Sequence, residues 1–328
     1  MKPKIILTHP FTPLQVEWLK ARVDLVLADD YPDLHQAAEA HSDAVGLISF
    51  LSDPVDGALL ERLPNLRIVA NYAVGYNNIH VARAVERGIW VTHTPDVLTD
   101  ATADLTMTLL LAACRRLIEA DQYVRQGQFK GWGATLMLGR ELTGAVLGIV
   151  GLGRIGGAVA RRARAFGLRV LYTANSDKPE LERELGLERV DFDQLLSQSD
   201  IISLHLPYSK AVHHLFDAST FARMKPDSIF INVARGGLMD EAALVEAVKS
   251  GHLFAAGLDV FEAEPTVHPG VLACQRIVVA PHIGSATHQT RERMAMMVAE
   301  DVLRVCQGEV PRYPVLECRK SGPAGPVQ

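Results

Sequence analysis

The sequence predicts an α/β protein built from two doubly wound parallel sheets. Short β-branched apolar runs alternate with stretches of helical period in two separate blocks, one ending at Pro95 and one running from Ala145 to His282. Runs of this kind, joined by helical crossovers, belong to parallel sheets covered on both faces. The second block opens on a glycine turn, GLGRIG, set between a strand and a helix. The chain has 328 residues, 48% hydrophobic and 22% charged, which suits a globular protein with two cores of ordinary size.

In chain order, KIILT reads as a strand, PLQVEWLKARV as a helix, DLVLA as a strand and DLHQAAEAH as a helix. DAVGLIS, LRIVAN and IWVTHT continue the strands, with GALLERLP and HVARAVERG as the helices between them. The segment from Thr99 to about Gln126 reads as one long helix, with Thr99 or Asp100 as its N-cap. It is apolar on several sides, so it either links two domains or packs on a partner. FKGWGATLMLGRELTG carries few signals of regular structure. AVLGIV, LRVLYT, DIISLHL, SIFINVA, FAAGLDV and RIVVAPH then supply a second set of strands. The last helix ends at Gly308, and its position suggests a return to the first unit. The final SGPAGPVQ reads as a frayed tail.

Composition excludes several function classes. The net charge of −5 implies no broad basic field, so neither a nucleic acid nor a membrane surface is the expected partner. Arg161, Arg162 and Arg164 have the spacing of a solvated helix face. Cys114, Cys274, Cys306 and Cys318 form no CxxC pair and no zinc-spaced cluster, so free thiols, a cytoplasmic location and no metal are expected. MKPKIILTHP is too soon interrupted for a signal peptide, and the apolar run Leu105–Cys114 is too short to span a bilayer. Met294, Met296 and Met297 read as core, and His213 and His214 as surface residues on a loop near a cleft rim.

Gly151, Gly153 and Gly156 stand in GxGxxG spacing after the strand AVLGIV, at the opening of a helix. In that context Gly151 permits a tight turn, Gly153 lets a pyrophosphate approach the backbone, and Gly156 lets helix and strand pack closely. The free N–H groups of the helix start face the anion. The tip of the next strand selects between NAD and NADP. Here it reads Ala174, Asn175, Ser176, with neither an acid for a ribose hydroxyl nor an arginine for a 2′-phosphate. Nothing at the tip repels a phosphate, and Lys178 lies close in sequence, so NADPH is favoured with NADH possible.

The second block also delivers ionisable groups where apolar strands stop. Arg235 ends SIFINVARGG, Glu264 follows AAGLDVFEAEP, and His282 ends IVVAPHIG. Strand ends of a parallel sheet share one edge, so the three can converge. A carboxylate beside a histidine favours the imidazolium, a proton donor for a carbonyl that accepts hydride. The planar fork of Arg235 suits a substrate carboxylate as a lysine would not.

These segments, with NYAVGYNNI, TPDVLTDATADLTMTLLLAACRR and INVARGGLMDEAALVEAV, make the chain resemble the D-isomer-specific 2-hydroxyacid dehydrogenases, nearest their glyoxylate/hydroxypyruvate reductase branch. The resemblance spans most of the chain. It implies a flavodoxin-like substrate domain from residues 1–97 and 287–328, with a Rossmann domain, 98–286, inserted in it. It implies reduction of a small 2-oxo acid, glyoxylate or hydroxypyruvate, to the 2-hydroxy acid, D where chiral. Arg235 would bind substrate, and Glu264 would partner the acid/base His282. Val74, Gly75, Leu51, Ser285 and Trp132 would border the substrate, Trp132 from the second subunit of a homodimer. Ser285 could equally cap the last helix. Arg154, Ile155, Pro207, Ala234, Thr102 and Asp259 would join the glycine turn and strand tip in holding the cofactor, Asp259 at the nicotinamide carboxamide. His80 and His93 depart from the family pattern and read as structural. A phosphite-oxidising relative would carry lysine where Val74 stands. A dinucleotide-sensing corepressor could keep the triad, but the short tail disfavours it. A methyltransferase would not need the triad.

Overall fold

The computed structural model describes residues 2–321. The chain forms two compact units, divided after Leu98 and after Ser285; one joins the start of the chain to the stretch from Ala286 onward, and the other is continuous.

The discontinuous unit begins as a strand–helix alternation: β1 (Lys4–Leu7), α1 (Pro13–Lys20), β2 (Asp24–Leu27), α2 (Leu34–Ala40), β3 (Gly46–Ser49), α3 (Gly57–Glu61), β4 (Ile68–Asn71), α4 (Val81–Glu86) and β5 (Trp90–Thr92). The sheet is wholly parallel, in the order β2-β1-β3-β4-β5. Side chains of a strand alternate between faces, and here they feed two separate cores. Ile6, Leu47 and Val69 pack with Leu59, Leu60 and Ala84 of the helices on one face. Ile5, Ile48 and Ile68 face the other way.

The continuous unit opens on α5 (Thr99–Cys114) and α6 (Leu117–Arg125). The single long helix read from the sequence is thus two. Arg116 adopts a left-handed conformation, φ 52°, and the Cys114 carbonyl accepts the N–H of Arg140 at 2.8 Å in place of continuing the helix. The chain between, with Trp132, loops out and returns to that point. Then follow β6 (Val146–Val150), α7 (Arg154–Ala165), β7 (Arg169–Thr173), α8 (Pro179–Leu185), β8 (Glu188–Arg189), α9 (Phe192–Gln198), β9 (Ile201–Leu204), α10 (Ala218–Arg223), β10 (Ser228–Asn232), α11 (Glu241–Lys249), β11 (Leu253–Leu258), α12 (Pro269–Ala273) and β12 (Ile277–Val279). The seven parallel strands run β12-β11-β10-β9-β6-β7-β8. The short edge strand β8 carries no apolar pattern and is not legible in the sequence. Helices α5 and α7 cover one face through Leu109, Leu110, Val159 and Ala160. On the other, Phe216, Phe221 and Phe230 form a contiguous aromatic core.

The chain then returns to the first sheet through α13 (His288–Cys306) and α14 (Leu316–Ser321). Met294, Val298 and Val302 of α13 close the core over Ile5, Ile48 and Ile68. Thr287 is the N-cap of α13, its hydroxyl accepting from Thr290 N–H, so the capping role open to Ser285 falls to Thr287. All four cysteines are free. No helix among the described residues is long and apolar enough to cross a membrane. The glycine- and proline-rich stretch from Gly322 lies outside the described residues.

Candidate active site

Chain order reverses between β6 and β9, the kind of point where an open parallel sheet leaves a crevice at its carboxyl edge. Gly151 ends β6 there with φ +97°, and a Cβ on it would lie 2.8 Å from the His205 carbonyl group after β9. A Cβ on Gly156 would lie 2.3 Å from the Gly151 carbonyl oxygen. Both glycines therefore meet backbone and nothing larger fits. Gly153 differs, because a Cβ there would meet nothing within 4 Å. Gly153 is also the N-cap of α7 and offers no side chain to the amides of the first turn. An open approach to the N–H groups of a helix start is what a pyrophosphate needs, so the residues present fit a dinucleotide. Arg154 and Ile155 form the first turn of that helix. His205 lies beneath the turn, its Nε2 2.8 Å from Ser203 Oγ. Burial pushes its imidazole down to about 3, so the ring is neutral.

Ala174, Asn175 and Ser176 follow β7 at the same edge, and Pro207 follows β9. The strand tip holds a cation that the sequence reading missed. Arg189, from the edge strand β8, donates through Nη2 to the Ala174 carbonyl at 2.9 Å and pairs with Asp177. No arginine stands near the tip in sequence. One arrives there because β8 pairs with β7, setting Tyr172 opposite Arg189.

Further along the edge, His282 Nδ1 lies 2.9 Å from Glu264 Oε2. An ionised carboxylate only accepts, so Nδ1 carries the proton in this bond. Phe261 N–H donates to the other carboxylate oxygen at 2.9 Å. Burial pushes the Glu264 carboxyl up, but the hydrogen bond and charge of His282, the Phe261 amide and the charge of Arg235 bring it below its ordinary value. The carboxylate therefore stays ionised as the pH falls through the usual glutamate range, and the contact is lost only below it. Burial lowers the Arg235 guanidinium, with Glu264 acting in the opposite sense.

Two devices hold these groups together. His282 has φ 53°, an uncommon conformation for a side-chain-bearing residue. The loop after it is clasped by Asp259 at the end of β11, whose carboxylate oxygens accept Ile283 N–H at 2.7 Å and Gly284 N–H at 2.8 Å. Burial raises the Asp259 carboxyl; those amides and His282 act against it. Thr102 donates to the Gly284 carbonyl from the other side, 3.1 Å. The second device is Gly236. A Cβ there would fall 1.9 Å from the carbonyl carbon of Phe261 and 2.3 Å from Glu262 N. Backbone thus rests on backbone, which sets the Arg235 turn against the loop that carries Glu264. Asn232, fully buried at the end of β10, closes that turn by accepting from Ala234 N–H at 3.0 Å and donating to the Arg235 carbonyl at 2.9 Å. Asn232 and Gly236 were missed in the sequence, where an amide side chain ending the apolar run of SIFIN was their signal.

The remaining site candidates divide between the units. In the discontinuous unit, Val74 and Gly75 form a braced loop. His93 Nδ1–H donates to the Val74 carbonyl at 2.8 Å, and Asn71 Nδ2 donates to the Gly75 carbonyl at 2.8 Å. Asn78 donates to the carbonyls of Phe50 and Asp53 at 3.0 and 2.9 Å, tying down the turn that contains Leu51. In the continuous unit, Ser285 follows Gly284, and Trp132 stands on the exposed loop after α6, 88% exposed.

A glycine-turn crevice sharing one sheet edge with a histidine–carboxylate pair defines an oxidoreductase that uses a nicotinamide dinucleotide. Residues 107–284 match the family model described as D-isomer specific 2-hydroxyacid dehydrogenase, NAD binding domain. The chain is 45% identical to a glyoxylate reductase of Thermococcus litoralis over 317 residues, 95% of this chain and 96% of the relative. Its structure is similar to that of the TT0316 protein from Thermus thermophilus, with TM-score 0.89, 42% identity, and 95% and 100% of the two chains covered. It is also similar to an NADPH-dependent glyoxylate/hydroxypyruvate reductase from Sinorhizobium meliloti, solved with NADP and malonate, with TM-score 0.88, 32% identity and full coverage of both chains. The chain belongs to the D-isomer specific 2-hydroxyacid dehydrogenase family.

Gly236→Ala tests the backbone contact. The added carbon has no flexible neighbour to displace, so the Arg235 turn must move, and a shift of about 1 Å is expected to lower kcat/KM roughly 10²-fold. Wild-type kinetics in this variant would show that the placement of Arg235 does not depend on it.

Proposed function

We propose that this protein reduces glyoxylate, and hydroxypyruvate beside it, to the corresponding 2-hydroxy acid, of D configuration where the product is chiral, with NADPH as the preferred donor. The observation that carries the reading is the His282–Glu264 hydrogen bond on the sheet edge that also bears Arg235 and the glycine turn. The relatives named glyoxylate reductase support the choice of acid.

The roles follow from the chemistry of each group. Arg235 grips the substrate carboxylate through its planar fork and polarises the neighbouring carbonyl. Glu264 fixes the His282 ring through Nδ1–H, which leaves Nε2 as the atom that gives a proton to the carbonyl oxygen as negative charge develops there. Asp259 and Thr102 hold the loop that presents His282, and Asp259 also meets the nicotinamide carboxamide. The braced Val74–Gly75 loop receives the carboxylate through its backbone, and Leu51 of the same unit and Ser285 of the other are assigned as further substrate contacts. When bound, the nicotinamide supplies the hydride. The glycine turn, Arg154, Ile155, Pro207 and Ala234 hold its dinucleotide. The discontinuous unit gives the substrate Leu51, Val74 and Gly75, and the continuous one supplies the cofactor cradle together with Arg235, Glu264 and His282.

The NADPH preference is supported by Arg189, a cation at a strand tip without a carboxylate of its own other than Asp177. A homodimer is supported by Leu117, Ile118, Val124, Phe129, Trp132, Leu136 and Leu138, all exposed on α6 and the loop after it. In that dimer Trp132 borders the partner's substrate site. The four free thiols support a cytoplasmic location.

Steady-state turnover of a panel of 2-oxo acids with both cofactors tests the reaction itself. His282→Ala is expected to lower kcat by about 10²–10⁴-fold or more while leaving NADPH binding near wild type; an unchanged kcat sinks the assignment. Sedimentation at micromolar concentration is expected to give a dimer, and a fully active monomer would refute it. Ala174→Asp places a carboxylate beside the bound ribose. It should cost NADPH roughly 2–4 kcal/mol at an effective dielectric of about 20 and favour NADH, so the two kcat/KM values move in opposite directions. An unchanged ratio would mean that this strand tip does not face the 2′ position.

A further inference from the structure

We propose that His213, His214 and Glu262 form a binding site for a divalent transition-metal ion of the zinc class. No spacing in the sequence signals it, and the sequence alone led to the expectation of no metal. The histidines are adjacent, whereas Glu262 lies 48 residues beyond His214. The fold brings one ligand atom from each residue within 4.8 Å of the others. His214 Nε2 lies 2.6 Å from Glu262 Oε1, and His213 Nε2 lies 3.9 Å from the same oxygen.

The backbone explains how two neighbouring histidines point one way. In an extended chain their rings would lie on opposite sides. Here Val212–Leu215 is a tight turn, with Leu215 N–H donating to the Val212 carbonyl at 3.2 Å. His213 has φ −62° and ψ 129°, and His214 has φ 50°. These angles are near those of a type II turn, whose third position normally takes glycine or asparagine. Histidine occupies it instead, and the turn stacks the rings 3.9 Å apart at 22°. The turn is pinned by His214 N–H to the Gly237 carbonyl at 2.9 Å and Phe216 N–H to the Leu238 carbonyl at 3.0 Å. Glu262 is pinned in turn, its N–H donating to Glu241 at 2.7 Å.

The remaining chemistry suits a metal. Tyr208 Oη lies 3.3 Å from His213 Nδ1, the outer partner that fixes a ligating imidazole and leaves its Nε2 lone pair available. Two imidazoles and one carboxylate with an open fourth position are a zinc-type donor set, and one that calcium or magnesium, which take oxygen ligands, would not select. Zinc at about 2.0–2.1 Å from each ligand needs the donor atoms about 3.3 Å apart, so binding requires the exposed His213 and Glu262 side chains to turn inward and the ring stack to open. The ion would join the turn packed on Gly237, two residues beyond Arg235, to the loop that reaches Glu264 two residues after Glu262.

The test uses untagged full-length protein stripped with a chelator, and its readouts are metal binding and thermal stability, so its outcome is independent of the proposed reaction. Zn²⁺ titrated calorimetrically is expected to bind one ion per chain and raise Tm, and Co²⁺ to give the visible absorption of a low-coordinate site. His213→Ala and Glu262→Gln, each checked to have the parent Tm in chelator, should weaken Zn²⁺ binding by about tenfold or more. The proposal is overturned if neither ion binds, if Zn²⁺ affinity is the same in both variants as in the parent, or if Ca²⁺ binds as tightly as Zn²⁺.

Discussion

The carboxylate of Asp259 is 1% exposed and ends the strand next to the sheet's edge. With both oxygens it accepts amide hydrogens from the two residues that follow His282. A buried carboxylate is costly unless it is fully satisfied, and here its satisfaction and the path of the loop are the same fact. The chain after β12 must turn back over the end of β11 for those bonds to form, and that turn holds His282 at positive φ. Thr102, from α5, reaches the same loop. Strand, helix and loop are thus locked at one point. The histidine–carboxylate pair, the glycine turn and the strand tip are then laid out from it along a single parallel edge. This order explains why the groups that meet a ligand come from segments distant in sequence: a parallel sheet sends every carboxyl end the same way, however far apart its strands are coded.

Much of this was legible in the sequence because it depends on local pattern. Apolar runs such as KIILT, AVLGIV and SIFINVA are strands because they alternate or bury both faces. GLGRIG names its own turn, since Gly151 and Gly156 each touch backbone that excludes a Cβ. Arg235, Glu264 and His282 stand out as ionisable residues where apolar strands stop. What was not legible depends on partners that local pattern does not encode. The break at Arg116 needs the Arg140 amide, which arrives only after the intervening loop closes. Strand β8 has two exposed residues and no hydrophobic signature, yet it carries Arg189 to the strand tip. Asn71, Asn78 and His93 read as ordinary polar residues until the loops they brace are folded beside them.

The two units solve the placement of irregular backbone in the same way. In each, a loop expected to meet ligand is held by side chains that donate to its carbonyls or accept from its amides, rather than by its own secondary structure. Asn71 and His93 brace Val74–Gly75; Asn232 closes the Arg235 turn; Asp259 closes the His282 loop. Such bracing costs no apolar surface and keeps the peptide groups of the loop satisfied. It also fixes positions more tightly than a free loop would, as a site built around a small acid requires.

The way α13 covers the first sheet has a consequence for biosynthesis. Thr99–Ser285 is one unbroken stretch, so it has every element of its own core as soon as it leaves the ribosome. The first sheet is made earlier but waits longer. Ile5, Ile48 and Ile68 are covered in part by Leu19 and Val23, but that core is completed only when Met294, Val298 and Val302 have been translated. The nascent chain therefore holds one incompletely covered sheet face while the whole second unit is synthesised. Domains generally fold N-terminal first during synthesis, and this topology inverts that order. A chain stopped after Ser285 would keep a complete dinucleotide unit tethered to a half-covered sheet, a species prone to aggregate rather than a smaller working enzyme.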